Sequence, residues 1–116
     1  RIQYLDGSST DPKMVAQVMQ IIGENKRVLV ILDSDHARDH VLDEMRAWRH
    51  VVTPGSYMIV EDSNVNGHPA RPDHGPGPME AIDAFMQEND EFEIDLSQEK
   101  FIMTQNPRGY LRKKHA

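Results

Sequence analysis

An apolar run, Val28-Leu29-Val30-Ile31-Leu32, breaks within one step into Asp33-Ser34-Asp35-His36, and a second run, Tyr57-Met58-Ile59-Val60, breaks into Glu61-Asp62. Neighbouring strands lie about 4.8 Å apart. If the two runs are adjacent parallel strands, four carboxylates crowd one edge of a sheet. Asp33 and Asp35 point the same way wherever the strand persists that far. Like charges at that spacing repel, and a hard divalent cation held by oxygen ligands offsets the cost. Mg²⁺ suits such a site, since it takes a few carboxylates and keeps positions open for water and substrate. A plainer account stands beside this one. Ser34, Asp35 and Asp39 are ordinary cap and first-turn residues, where the helix dipole favours acids. His36 has two readings as well, a general base or substrate contact, or a histidine packed at a helix start.

The other candidates carry less. His68 and His74 fall in a Gly/Pro-rich loop at no recognised metal spacing and read as exposed filler, and His40, His50 and His115 read as surface residues. Trp48 and the methionines fall on helical stripes and read as packing. With no cysteine in the chain, disulfides, thiolate metal sites and a cysteine nucleophile are excluded. A formal net charge of −6 argues against nucleic acid or an anionic membrane as partner. The short basic end, Arg108 to Lys114, reads as a solvated tail. No apolar stretch approaches membrane-span length and no signal-peptide pattern opens the chain, so a soluble cytoplasmic protein is expected.

The elements that must position the carboxylates follow from periodicity. Ile2-Gln3-Tyr4-Leu5 alternates and breaks at Asp6-Gly7, as a short strand entering a loop does. Asp11-Pro12 starts a helix, with Met14, Val15, Val18, Met19 and Ile22 at helical spacing and a stop at Gly23. Arg27 to Leu32 lacks alternation, as in a strand buried on both faces of a parallel sheet. The next helix carries Val41, Leu42, Met45, Trp48 and Val52 and runs to Thr53-Pro54-Gly55. After the Tyr57 strand, a loop from Ser63 to Gly77, long for an α/β link, reads as a lid or substrate wall. Pro78 opens a helix with Met79, Ile82, Phe85 and Met86. Phe92-Ile94-Leu96 and Phe101 to Thr104 read as an antiparallel pair closing the sheet. At 116 residues this is one α/β domain, residues 1–116, with a mainly parallel sheet. Its helix-entering loops gather at the carboxyl edge, where ligands of such sheets bind.

Several stretches in order, "IQYLDGSSTDPKMV", "VILDSDHARDHVLDEM", "VTPGSYMIVEDSNVNGHP", "GPGPMEAIDAF" and "FIMTQNPRGYLRK", resemble the cephalosporin hydroxylase family, which includes rhamnosyl O-methyltransferases. The resemblance implies the Rossmann-like fold of class I S-adenosylmethionine-dependent methyltransferases, with a Mg²⁺ ion at the ends of two successive strands. It places the metal ligands on Asp35, with Asp33 the alternative, and on Glu61 and Asp62. It also implies His36 as the base, Asp33 near S-adenosylmethionine if not a ligand, and a small-molecule acceptor hydroxyl on a sugar or natural product. The metal would orient the acceptor and lower the pKa of its hydroxyl.

One departure bears on activity. A class I methyltransferase binds its cofactor with a glycine-rich turn after the first strand and an acid ending the second. No such turn precedes Val28, and Gly7 stands alone. In the family's order the chain starts at the third strand, lacking the first two, and holds the C-terminal metal and acceptor half. It is then a fragment of a longer product, as the missing initiator methionine fits, or a natural truncation. In the second case its Arg27–Leu32 edge pairs with another chain. Alone it is expected to methylate nothing. Three other readings compete. One is a haloacid-dehalogenase-like Mg²⁺-dependent phosphatase, which also ends a strand in Asp-x-Asp but carries Thr or Val where this chain has His36. The second is a sugar-nucleotide transferase, and the third a non-catalytic remnant or binding module.

Overall fold

The structure is a computed structural model that describes residues 1–24 and 26–115. Its elements run α1 (Pro12–Ile22), β1 (Val30–Leu32), α2 (Arg38–Trp48), β2 (Tyr57–Val60), α3 (Pro78–Glu88), β3 (Phe92–Ile94), a 3₁₀ turn (Leu96–Gln98) and β4 (Tyr110–Lys113). The four strands form one mixed sheet in the order β1-β2-β4-β3. β1 pairs parallel with β2, placing Leu32 opposite Val60, while β4 pairs antiparallel with both β2 and β3. The fold is α/β as expected, but the sheet is mixed where the sequence predicts a mainly parallel one. No helix among the described residues is long and apolar enough to cross a membrane.

Local chemistry explains the helix starts. The Asp11 carboxylate accepts from the Lys13 amide at 2.9 Å with Pro12 in the first turn, and Gly23, at φ 68°, closes α1. α3 begins at Pro78, and Glu80 in its first turn accepts from the Gly77 amide at 2.7 Å. The core lies on one face of the sheet. Leu32, Met58, Val60, Phe92 and Leu111 pack there against Val41, Leu42 and Met45 of α2 and Ala81, Ile82 and Phe85 of α3. An Arg46–Glu88 fork, with bonds of 2.7 and 2.8 Å, ties α2 to α3 outside that core.

Several expected elements differ. Ile2 to Leu5 forms no strand, and Ile2 and Tyr4 are exposed. β1 is three residues long and buried on one face only: Leu29 is 48% and Ile31 56% exposed. The helices α2 and α3 cover a single face, so an unbroken apolar run here does not mean two-sided burial. α2 stops at Trp48 because the chain turns back to β1, where Thr53 bonds Val28 through its amide (3.3 Å) and its Oγ1 (2.9 Å from the Val28 amide). Phe101 to Thr104 is not a strand. Ile102 takes φ 69°, which interrupts extension, and Phe101, Ile102 and Met103 are exposed.

The expected solvated tail is instead β4, with Leu111 fully buried between β2 and β3. Its charges are accommodated side by side: Arg112 pairs with Glu93, and Lys113 Nζ donates to the Arg49 carbonyl at 2.8 Å and lies 5.7 Å from the centre of the Phe92 ring.

Candidate metal centre

Parallel pairing of β1 and β2 brings their carboxyl ends together, and the Glu61 amide donates to the Leu32 carbonyl at 3.0 Å just beyond the ladder. Asp33 and His36 leave β1, and Asp62 leaves β2. One donor atom from each lies within 4.8 Å of the others. His36 Nε2 stands 3.1 Å from Asp62 Oδ2 and 3.6 Å from Asp33 Oδ1. Yet this nitrogen is buried and makes no hydrogen bond. A buried ring nitrogen normally has a partner. One imidazole nitrogen and two carboxylates this close together are donor types that divalent-cation sites combine, the carboxylates suiting Mg²⁺ and the imidazole a softer ion.

The remaining site candidates have other company. Asp35 is exposed, and its Oδ1 accepts from the Ala37 amide at 2.7 Å in the turn before α2, whose N-cap is Ala37 with no side-chain cap bond. Glu61 is half-buried on the same edge, next to Asp62 in the chain.

The loop from Asp33 into α2 is braced from beneath. Ser34 Oγ donates to Glu44 at 2.9 Å, and Glu44, 2% exposed in α2, also lies 3.2 Å from His40 Nε2. His40 is therefore part of a network and not a free surface residue. Glu44 was legible in principle, since it falls on the same helical stripe as Val41, Met45 and Trp48. Trp48 packs, and its indole N–H donates to the Ser9 carbonyl at 2.7 Å.

The loop from Ser63 to Gly77 forms a wall against this edge. The Arg38 amide donates to the Pro76 carbonyl at 3.1 Å, and a Cβ at Gly77 would stand 3.3 Å from the His36 carbonyl oxygen. Glu80 anchors the wall by accepting from Asn66 (3.0 Å) and bonding His68 Nε2 (2.7 Å), so His68 is an anchor and not exposed filler. His74 bonds the Gly75 carbonyl at 3.0 Å. Burial pushes the Glu80 carboxyl up, but the Gly77 amide with His68 and Asn66 outweighs it and holds it below the ordinary glutamate value. An acid so depressed contributes stability that is present above its ordinary pKa and lost as pH falls through the lowered one. Acidification below the ordinary glutamate range therefore loosens this loop, and Glu80→Gln removes that part of the pH dependence. Amide protection factors of residues 66–77 test it; identical profiles for both proteins would contradict it.

An α/β domain whose adjacent parallel strands deliver acidic and imidazole donors to the carboxyl edge carries its candidate site where such sheets bind ligands. The chain belongs to the rhamnosyl O-methyltransferase/CmcI family, which it matches over residues 1–114. It is 42% identical over 113 residues to a rhamnosyl O-methyltransferase of Mycobacterium tuberculosis strain H37Rv, covering 95% of this chain and 46% of that protein. A rhamnosyl O-methyltransferase of Mycobacterium leprae is 40% identical over 116 residues, covering 97% of this chain and 51% of that protein. The chain thus spans about half the length of the curated relatives it matches. No solved structure matches it significantly.

Proposed function

We propose that residues 1–116 form one domain, the metal and acceptor half of a Rossmann-like, S-adenosylmethionine-dependent O-methyltransferase acting in the cytoplasm on a sugar hydroxyl. The observation that carries this reading is the convergence of Asp33, His36 and Asp62, with the His36 nitrogen buried and unbonded. Asp62 is the common member of two ligand sets. The geometry adds Asp33 and His36; the resemblance adds Asp35, which instead accepts from the Ala37 amide, and Glu61, next to Asp62 on the same edge. A bound Mg²⁺ supplies Lewis-acid help and orientation to the acceptor hydroxyl. In this arrangement His36 serves the cation instead of acting as the base, and the wall from Ser63 to Gly77 shapes the acceptor side.

For S-adenosylmethionine, the described residues of this chain are proposed to supply only part of a site. The groove of about 630 Å³ beside Asp33 is lined mainly by apolar side chains, among them Val18, Ile22, Ile31 and Trp48. Gly7, the one glycine before α1, follows no strand among the described residues. The rest of the family's length is the proposed source of the cofactor site, and Asp33, which lines this groove, is the residue that the resemblance puts near the cofactor. The expected result for this chain alone is Mg²⁺-dependent thermal stabilisation without methyl transfer. Stabilisation absent at millimolar Mg²⁺ would remove the metal reading, and hydrolysis of an aryl phosphate would favour a phosphatase.

β1 has one strand neighbour among the described residues, and beside its other edge Leu29 and Ile31 lie exposed on the open face. An apolar free edge templates pairing, so this chain is expected to self-associate through residues 27–32. Sedimentation over a concentration series tests this: Ile31→Lys returns the protein to monomer, and a wild type monomeric throughout would exclude it.

A further inference from the structure

Asp62 sits at φ 56°, in the left-handed region that is uncommon outside glycine and that Asp takes more readily than most residues. What holds it comes from 44 residues further along the chain. The Asn106 side-chain carbonyl accepts from the Asp62 amide at 2.8 Å, and Asn106 is 8% exposed. Its own position is fixed on both sides: its amide donates to Thr104 Oγ1 at 3.0 Å and its carbonyl accepts from the Gly109 amide at 2.9 Å.

The segment from Gln105 to Gly109 grips the exit of β2 at further points. The Val60 amide donates to the Gly109 carbonyl (2.8 Å), Ser63 Oγ to the Pro107 carbonyl (2.6 Å), and the Asn64 amide to the Gln105 carbonyl (3.2 Å). So close an approach needs a glycine, since a Cβ on Gly109 would run into the Val60 carbonyl oxygen.

We infer that Asn106 is a positioning residue for the metal centre: by accepting the Asp62 amide it sets the turn that aims the Asp62 carboxylate at Asp33 and His36. The inference rests on the proposed cation site. Asn106 never touches the cation or substrate. Its effect passes through a backbone hydrogen bond, so it depends on an acceptor oxygen at this position and not on side-chain volume. Loss of an outer partner of a ligand typically weakens metal binding about 10–100-fold.

The test compares Asn106→Leu, which keeps the volume and removes the acceptor, with Asn106→Asp, which keeps the acceptor. Two readouts are used, Mn²⁺ affinity by calorimetry and exchange of the Asp62 amide in metal-free protein. Asn106→Leu is expected to weaken Mn²⁺ binding about 10–100-fold and to release the Asp62 amide, while Asn106→Asp preserves both. Ser63→Ala removes another anchor of the same turn and controls for general loosening. If it matches Asn106→Leu in both readouts, or if Asn106→Leu changes neither, the positioning role is overturned. Should wild type fail to bind Mn²⁺, the cation reading falls by itself. Exchange at Asp62 then decides the role of Asn106: protection lost only in the Leu variant supports it, and unchanged protection refutes it.

Discussion

Asp62→Asn is expected to erase Mg²⁺-dependent stabilisation while leaving the metal-free protein folded. A ligand at tenfold its Kd stabilises the state that binds it by about 1.4 kcal/mol, which in a domain of this size raises Tm by about 6 °C. Asp62 is the donor that both ligand sets share, and its Oδ2 lies nearest the unbonded His36 nitrogen, at 3.1 Å. Losing even an outer partner of a ligand costs about 10–100-fold in affinity, and loss of a charged donor belongs at or above the upper end. At the same Mg²⁺ concentration a 100-fold weaker site yields less than about 0.1 kcal/mol, so the shift vanishes into the error of the melt. The metal-free variant should melt at or slightly above wild type, because a carboxylate close to Asp33 is removed. Asp35→Asn separates the two ligand sets. With Asp35 occupied at the Ala37 amide, that variant keeps its Mg²⁺ response and its stability, because the Asn side-chain oxygen still accepts from the same amide. Differential scanning fluorimetry with and without Mg²⁺ reads all of these. An undiminished shift in Asp62→Asn would take the metal centre away from this edge.

The largest loss of stability is expected from Phe85→Ala. Phe85 is fully buried and meets Phe92 edge-to-face, with ring centroids 5.6 Å apart and planes at 62°. It thereby joins α3 to β3 through the single layer of core that the helices and sheet share. Truncating a buried Phe costs about 3–5 kcal/mol, combining lost transfer energy with the cavity left behind. Domains of this kind hold only about 5–15 kcal/mol in total. The variant should therefore populate the unfolded state measurably at 37 °C, and its urea midpoint should fall accordingly. Ile31→Ala is the contrast: at 56% exposure it should shift the midpoint little. A Phe85→Ala loss below about 1 kcal/mol would mean that the α3–β3 contact is not part of the cooperative core.

Elements specified by short-range chemistry are the ones readable from residues alone. Asp11-Pro12 and Pro78 mark helix starts, Gly23 a stop, and Tyr57 to Val60 a strand, because caps, proline geometry and alternation act over a few residues. β4 was hidden because Arg112 and Lys113 dominate its composition. Their pairing with Glu93, the Arg49 carbonyl and the Phe92 ring exists only once β3 and α2 are in place. Phe101 to Met103 misled in the opposite direction, since apolar residues mark a strand only where a neighbouring strand exists to pair with them.

The same division runs through the site. The sequence by itself determined the chemistry available at the two strand exits: Asp33, Asp35, His36, Glu61 and Asp62, all following apolar runs, with no cysteine anywhere to offer another kind of site. Only the tertiary structure decided which of them meet. Asp33, His36 and Asp62 converge, while Asp35 turns to the Ala37 amide. That choice depends on the register of β1 against β2 and on the turn at Asp62, φ 56°, whose amide donates to Asn106 in the segment entering β4. Side-chain chemistry is local and can be read along the chain. Convergence within a few ångströms depends on contacts between residues far apart in sequence, and those exist only after folding.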